Sequence, residues 1–312
     1  MYEHIAKNRF KTVLLIVGFL IFISLIGYFV GLYFDYRYGL GGGYSIMLMI
    51  FGLFIAGITS FASYFYSDKI VLQLTGARPL SHQENPRVYY MVEGLSIAAG
   101  IPMPKIYVIE DRAMNAFATG RNPENAVIVF TRGLLEKLND EELKGVIGHE
   151  LSHIKNYDIL LGTIIVVLVG MLSIISNIIL RSFFFGGRRR SDRNGGGILS
   201  LILLVVGIIL ILLSPLIATI IRLAISRSRE FLADSNGALI TRYPAGLANA
   251  LRKISSDSKL RVANDATAHL FISNPFGTRA RSFLSNLFST HPPVEERIRR
   301  LEEMALGVGI KN

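Results

Sequence analysis

Residues 148–153 read Gly-His-Glu-Leu-Ser-His, with His149 and His153 four positions apart and Glu150 directly after the first histidine. On a helix, positions i and i+4 stack one turn apart on the same face. Two imidazoles at that spacing can bind one Zn²⁺, while the carboxylate of Glu150 reaches a water molecule beside the ion instead of the ion itself. Zinc lowers the pKa of water to about 7 and polarises a carbonyl oxygen. A neighbouring carboxylate can then take the water proton and deliver it to a leaving amine. The rival reading is a polar helix face carrying two solvated histidines. Val146, Ile147 and Leu151, interleaved with the polar positions, argue instead for a helix packed inside the protein.

Asn139 stands three residues before Glu142, the spacing of a capping box, so the helix is expected to run from Asp140 to Tyr157. A catalytic zinc also needs a third protein ligand and one open position. No histidine occurs between Tyr157 and Leu180, so that ligand must come from elsewhere. His82, His269 and His291 qualify on chemistry alone. Glu230 is better placed, because Asp234 lies one turn further along the same expected helix. One carboxylate can ligate the ion while the other orients a histidine N–H. The bland alternative is a charged helix in which Glu230 and Asp234 balance Arg227 and Arg229.

The chain has 312 residues, 51% of them hydrophobic, and no cysteine. Disulfides, thiolate metal sites and cysteine nucleophiles are therefore excluded. Most of the apolar excess sits in four runs: Thr12 to Phe34, Ser45 to Tyr66, Ile159 to Leu180 and Ile198 to Ile221. A spanning helix needs about 20 mostly apolar residues, and each run qualifies. Lys7, Arg9 and Lys11 precede the first run, which places the N-terminus and the section from Ser67 to Asp158 in the cytoplasm by the positive-inside rule. The loop with Arg181, Arg188, Arg189, Arg190 and Arg193 opposes that rule if both flanking runs cross fully. The net charge of +10 fits membrane topology and anionic lipid. It is not accompanied by a nucleic-acid-binding motif, so nucleic acid is not an expected partner.

Between the apolar runs the sequence is that of a globular domain. Pro86 opens a helix. Lys105 to Ile109, Asn115 to Thr119 and Ala126 to Phe130 read as short strands, with Asn122 and Pro123 turning between the last two, so a small antiparallel sheet is expected. Ala245 to Ser256 and Pro292 to Ala305 read as helices, the latter with Glu295–Arg299 and Glu296–Arg300 at pair spacing.

Three segments together resemble the HtpX-type membrane metalloproteases, relatives of the CAAX prenyl endopeptidases. They are Gly-His-Glu-Leu-Ser-His at 148–153, Ser-Arg-Ser-Arg-Glu-Phe-Leu-Ala-Asp at 226–234 and Thr-His-Pro-Pro-Val-Glu-Glu-Arg-Ile at 290–298. The resemblance runs from the N-terminal apolar runs to Leu301. It implies His149, His153 and Glu230 as the ligands of one Zn²⁺, Glu150 as the catalytic glutamate and Asp234 as a carboxylate behind a ligand. It implies His291 beside the developing oxyanion and Arg297 near it. It also implies that Asn115, Ala116, Phe117 and Ala118 form an edge strand on which substrate lies, where an extended peptide adds through main-chain hydrogen bonds.

The expected architecture is thus a mainly α membrane protein with four hydrophobic helices and a zincin-like metalloprotease domain carrying a small antiparallel sheet. Residues 1–66 hold two transmembrane helices, 67–158 the first part of the catalytic domain, 159–221 a hydrophobic hairpin and 222–312 the second part. The expected activity is endopeptidase cleavage of misfolded or membrane proteins in a cell (inner) membrane, multi-pass, with the catalytic domain facing the cytoplasm. The resemblance also implies a role in stress response beside an ATP-dependent membrane protease. The rivals are a CAAX-type prenyl protein protease and a non-catalytic adaptor holding structural zinc.

Overall fold

The fold is taken from a computed structural model that describes residues 2–39, 41–186, 227–256, 260, 267, 270–273 and 292–307. Two long helices open the chain, α1 (Tyr2–Tyr38) and α2 (Gly43–Thr75). Both are long and apolar enough to cross a membrane. They turn large hydrophobic side chains outward, among them Leu14, Ile21 and Phe29 of α1 and Phe51, Phe54 and Phe61 of α2. In water such a surface would be a large apolar patch; in lipid it is ordinary. The tight turn between the two is pinned by Asp35, whose carboxylate accepts the Tyr44 and Ser45 N–H groups at 2.9 and 2.8 Å and so caps the start of α2.

The sheet follows. Strands β1 (Arg78–Pro79), β2 (Lys105–Ile109), β3 (Ala116–Gly120) and β4 (Ala126–Thr131) lie in the order β1-β2-β4-β3, with helix α3 (Pro86–Ala99) between β1 and β2 in sequence. β1 and β3 pair antiparallel with their neighbours, but β2 and β4 are parallel. The sheet is therefore mixed, which corrects the antiparallel expectation. That expectation assumed consecutive strands are neighbours, which holds roughly two-thirds of the time. Here β3 passes to the outside and returns through the Asn122-capped turn, so β4 fits between β2 and β3 running parallel to β2.

Every residue of β4 is buried, as expected for a central strand covered on both faces. Ala126, Ile128 and Phe130 face a core formed with Leu143, Val146, Ile147 and Leu151. Val127 and Val129 face the opposite way, toward Val71 of α2, Val166 and Phe271. The sheet thus separates a helical layer from the roots of the apolar helices.

Short helix α4 (Arg132–Lys137) leads to α5 (Asp140–Lys155), the helix of residues 148–153. Its capping box is formed: Asn139 Oδ1 accepts the Glu142 N–H at 2.9 Å, and Glu142 Oε2 accepts the Asn139 N–H at 3.0 Å. The chain then bends by 82° through Tyr157, a residue of positive φ, into α6 (Asp158–Gly186). Leu160, Ile164 and Leu168 of α6 pack against Phe19 of α1 and Ala56 of α2. Two helices among the described residues are long and apolar enough to span, and a third is so only if the bent pair α5–α6 is one crossing. The fourth expected span, Ile198 to Ile221, and the loop of Arg188 to Arg193 lie outside the described residues.

Three further helices close the helical layer: α7 (Arg227–Thr241), α8 (Pro244–Ser255) and α9 (Val294–Ala305). On α9, Glu296 accepts from both Arg299 and Arg300, at 2.9 and 2.8 Å, in place of the expected Glu295–Arg299 pair. α5 and α7 cross where Gly148 meets Gly237. A Cβ at Gly237 would stand 2.8 Å from His149 N, a backbone atom with little room to yield. The sequence supplies no side chain there because the two backbones must nearly touch.

Replacing Gly237 with Ala is therefore expected to destabilise the protein by about 1–3 kcal/mol, the usual cost of overpacking. Thermal unfolding of the purified full chain checks this, and an unchanged melting temperature would mean the helices have slack at the crossing.

Candidate active site

The crossing of α5 and α7 brings His149 and His153 to Glu230. His149 Nε2 and His153 Nε2 are 3.2 Å apart, and the Glu230 carboxylate oxygens lie 3.9 and 3.5 Å from them. The three ligand atoms all fall within 4.8 Å of one another. Among the described residues this is the group able to hold a metal ion. His149, Glu150 and Glu230 are buried, while His153 is part exposed.

The other ring nitrogen of each histidine is tied down. Asp234 Oδ1 is 2.9 Å from His149 Nδ1, and Asp158 Oδ2 is 3.0 Å from His153 Nδ1. A carboxylate there accepts the Nδ1–H, which fixes the tautomer and leaves Nε2 a lone pair for the ion. Arg297, fully buried on α9, donates Nε–H to Asp234 Oδ2 at 2.8 Å and Nη2–H to Asp234 Oδ1 at 2.7 Å. Its Nη1–H goes to Ile272 O at 2.9 Å, and Glu230 lies 3.8 Å away.

The electrostatics favour a cation at the centre. Burial pushes the His149 ring down to about 4, outweighing the pull of Asp234. It pushes the Glu150 carboxyl up to about 7. At His153 burial acts downward too, but the hydrogen bond to Asp158 and the charge of Glu230 overcome it and raise the ring to about 9. Burial would raise Asp234, yet Arg297 and His149 hold it down at about 2. For Arg297 burial works against the charge, and Asp234 overcomes that. Four carboxyl groups, of Glu150, Asp158, Glu230 and Asp234, face two guanidinium groups, of Arg229 and Arg297, among the described residues. Two imidazoles with one carboxylate and an open position are the donor set of a catalytic zinc site.

Glu150 points its carboxyl at the sheet edge, toward the Ala118 N–H. Strand β3 is that edge. Asn115 O accepts the Thr131 N–H at 3.0 Å, so by antiparallel alternation the main chain of Ala116 and Ala118 faces outward. Ala116 O is already taken by the Ile272 N–H at 2.9 Å, and Asn115 Nδ2–H donates to Ser273 O at 3.1 Å. The Phe117 ring is buried against Phe271 on the other face of the sheet. Of the four positions expected to carry substrate, Ala118 thus sits beside Glu150, and Asn115 and Ala116 hold the 272–273 segment.

His291 and His269 lie outside the described residues. His82 packs edge-on against Tyr89 and Tyr90. Sequence reasoning missed Asp158. Its signal was slight: a lone acid opening an apolar run, five residues past His153 and beyond the end of the helix.

Asp234→Asn is expected to weaken metal binding about 10–100-fold, the usual cost of losing a partner behind a ligand histidine. Competition with a chromophoric chelator measures it. Equal affinity in the variant would show that His149 is oriented without this carboxylate.

Residues 82–305 match the model of peptidase family M48. A protein described as a protease HtpX homolog from Tropheryma whipplei is 43% identical over 305 residues, covering 97% of this chain and 98% of the relative. One of the same description from Thermoanaerobacter pseudethanolicus is 46% identical over 307 residues, covering 98% of each. Among solved structures, the crystal structure of S. mikatae Ste24p aligns with a TM-score of 0.48 and 18% identity, covering 97% of this chain and 67% of that one. With a family model over most of the chain and near full-length relatives, the chain is a membrane-bound metalloprotease belonging to peptidase family M48.

Proposed function

We propose that the chain is a zinc endopeptidase that cleaves misfolded or membrane-embedded proteins. The observation that carries this reading is the convergence of two tautomer-fixed imidazoles and one buried carboxylate, with a fourth group, Glu150, beside them and off the ligand face. His149, His153 and Glu230 hold the ion. When bound, zinc supplies Lewis-acid polarisation of the scissile carbonyl and eases ionisation of the attacking water.

The residues do the rest. The substrate strand lies along the open part of the β3 edge near Ala118 and is drawn straight by main-chain hydrogen bonds. Glu150 takes the proton of the attacking water and then gives it to the leaving amine. Burial raises its pKa to about 7, near the value a group needs to act as both base and acid at neutral pH. Asp234 and Asp158 hold the two imidazoles in register, and Arg297 keeps Asp234 ionised. His291 would steady the developing oxyanion.

The catalytic unit is assembled from residues 67–158 and 222–312, interrupted by the hydrophobic stretch 159–221. It faces the cytoplasm, on the side of Lys7, Arg9 and Lys11, and in this reading the protein lies in the cell (inner) membrane. The short path from α5 into α6 supports substrates presented at the bilayer surface, and so a role in membrane-protein quality control beside an ATP-dependent membrane protease.

Two variants of the full-length protein test this. Glu230→Ala should lose zinc and casein cleavage together. Glu150→Gln should keep about one zinc per chain while the cleavage rate falls about 10²–10⁴-fold, the typical contribution of general acid–base catalysis. Full zinc occupancy after Glu230→Ala would move the third ligand elsewhere, and turnover surviving Glu150→Gln would remove Glu150 from the mechanism.

A further inference from the structure

The N-terminal turns of α1 reach the metal centre, and they do so with one polar side chain. Asn8 is buried. Its Nδ2–H groups donate to Asp158 Oδ1 at 2.7 Å and to Asn156 O at 3.2 Å. Its Oδ1 accepts from Arg229 Nη1 at 3.1 Å, and the same Nη1 reaches Asp158 Oδ1 at 3.1 Å. The other oxygen of Asp158 is the one 3.0 Å from His153 Nδ1. Asn8, Asp158 and Arg229 therefore form a closed triangle, and its Asp158 corner holds a ligand histidine through its second oxygen. The neighbouring residue strengthens the contact: the Arg9 guanidinium lies 4.7 Å over the ring of Tyr157, at the α5–α6 bend.

Only an amide satisfies this triangle. It must donate to a carboxylate and a carbonyl on one side and accept from a guanidinium on the other, and Asn carries both functions on one planar group. Aspartate would set a second carboxylate against Asp158. An apolar residue would leave a buried carbonyl and one Arg229 donor short of a partner, which is costly away from water. A helix needed only as a tether has no use for such a group at this depth.

We propose that Asn8 is a positioning residue of the metal centre: α1 holds Asp158 through Asn8, and Asp158 in turn fixes the ring of His153. The first apolar helix is thereby a structural part of the active site as well as an anchor. The inference rests on His149, His153 and Glu230 being the metal site.

The test is the zinc affinity of full-length protein in detergent, by chelator competition, in a double-mutant cycle. Asn8→Ala should raise the zinc Kd about 3–10-fold, less than the about 10–100-fold that loss of a direct partner such as Asp158→Ala typically brings. In the Asp158→Ala background, Asn8→Ala should change nothing, since coupled residues are non-additive. Asn8→Asp, of the same shape, should weaken zinc at least as much as Asn8→Ala, and the visible spectrum of the cobalt-substituted protein should shift in both. Phe10→Ala, at a position 68% exposed in the same helical turn, should leave Kd and spectrum unchanged. A lower melting temperature with unchanged Kd in both Asn8 variants would make Asn8 a tether alone and overturn the proposal. So would an equal loss in the presence and absence of Asp158. Absence of zinc binding by the unaltered protein would overturn the metal site itself, a result distinct from either.

Discussion

The structure depends on four carboxyl groups, three buried and one partly so, being gathered around two imidazoles. Isolated buried charges are strongly unfavourable, and Glu150, Asp158, Glu230 and Asp234 would repel one another if left alone. Two of them have a guanidinium partner. Arg297 spans Asp234 with two hydrogen bonds, and Arg229 meets Asp158. The two imidazoles then sit between carboxylates on their Nδ1 side and Glu230 on their Nε2 side. What remains is a negative field centred between the Nε2 atoms, and its complement is a divalent cation.

The fold is organised to make that crowding reachable. Gly148 and Gly237 let α5 and α7 approach until a backbone atom of one lies within 2.9 Å of where a Cβ of the other would be. The mixed sheet closes the opposite side and brings the Ala118 N–H to Glu150. The bend after α5 puts Asp158 at the first residue of an apolar helix, so the metal centre and the bilayer-facing helices share a hinge. Proximity to the membrane is thus a property of the same few residues that build the site, and detaching one from the other would disturb both.

What the sequence made legible was local. The capping box, the spacing of His149 and His153, and the one-turn separation of Glu230 and Asp234 are all helical periodicities, and each is found where the periodicity puts it. What it left dark was tertiary. The parallel pairing of β2 with β4 depends on which strand passes outside, and no strand's own residues carry that information. Asp158 lies past the end of its helix, where neither face nor period applies. Arg297 is named by the resemblance as lying near the oxyanion, but its two hydrogen bonds to Asp234 depend on how α9 packs and no local pattern carries them. Asn8 carries no signal in the sequence, and its meaning comes from a partner 150 residues away.

The coordination of the bound metal tests the account most directly. X-ray absorption at the zinc edge of the purified full-length protein should give two imidazole nitrogens and oxygen neighbours from one carboxylate and water, all at about 2.0–2.2 Å. A first shell with three or more imidazoles and no carboxylate, or a protein that takes up no zinc, would contradict it.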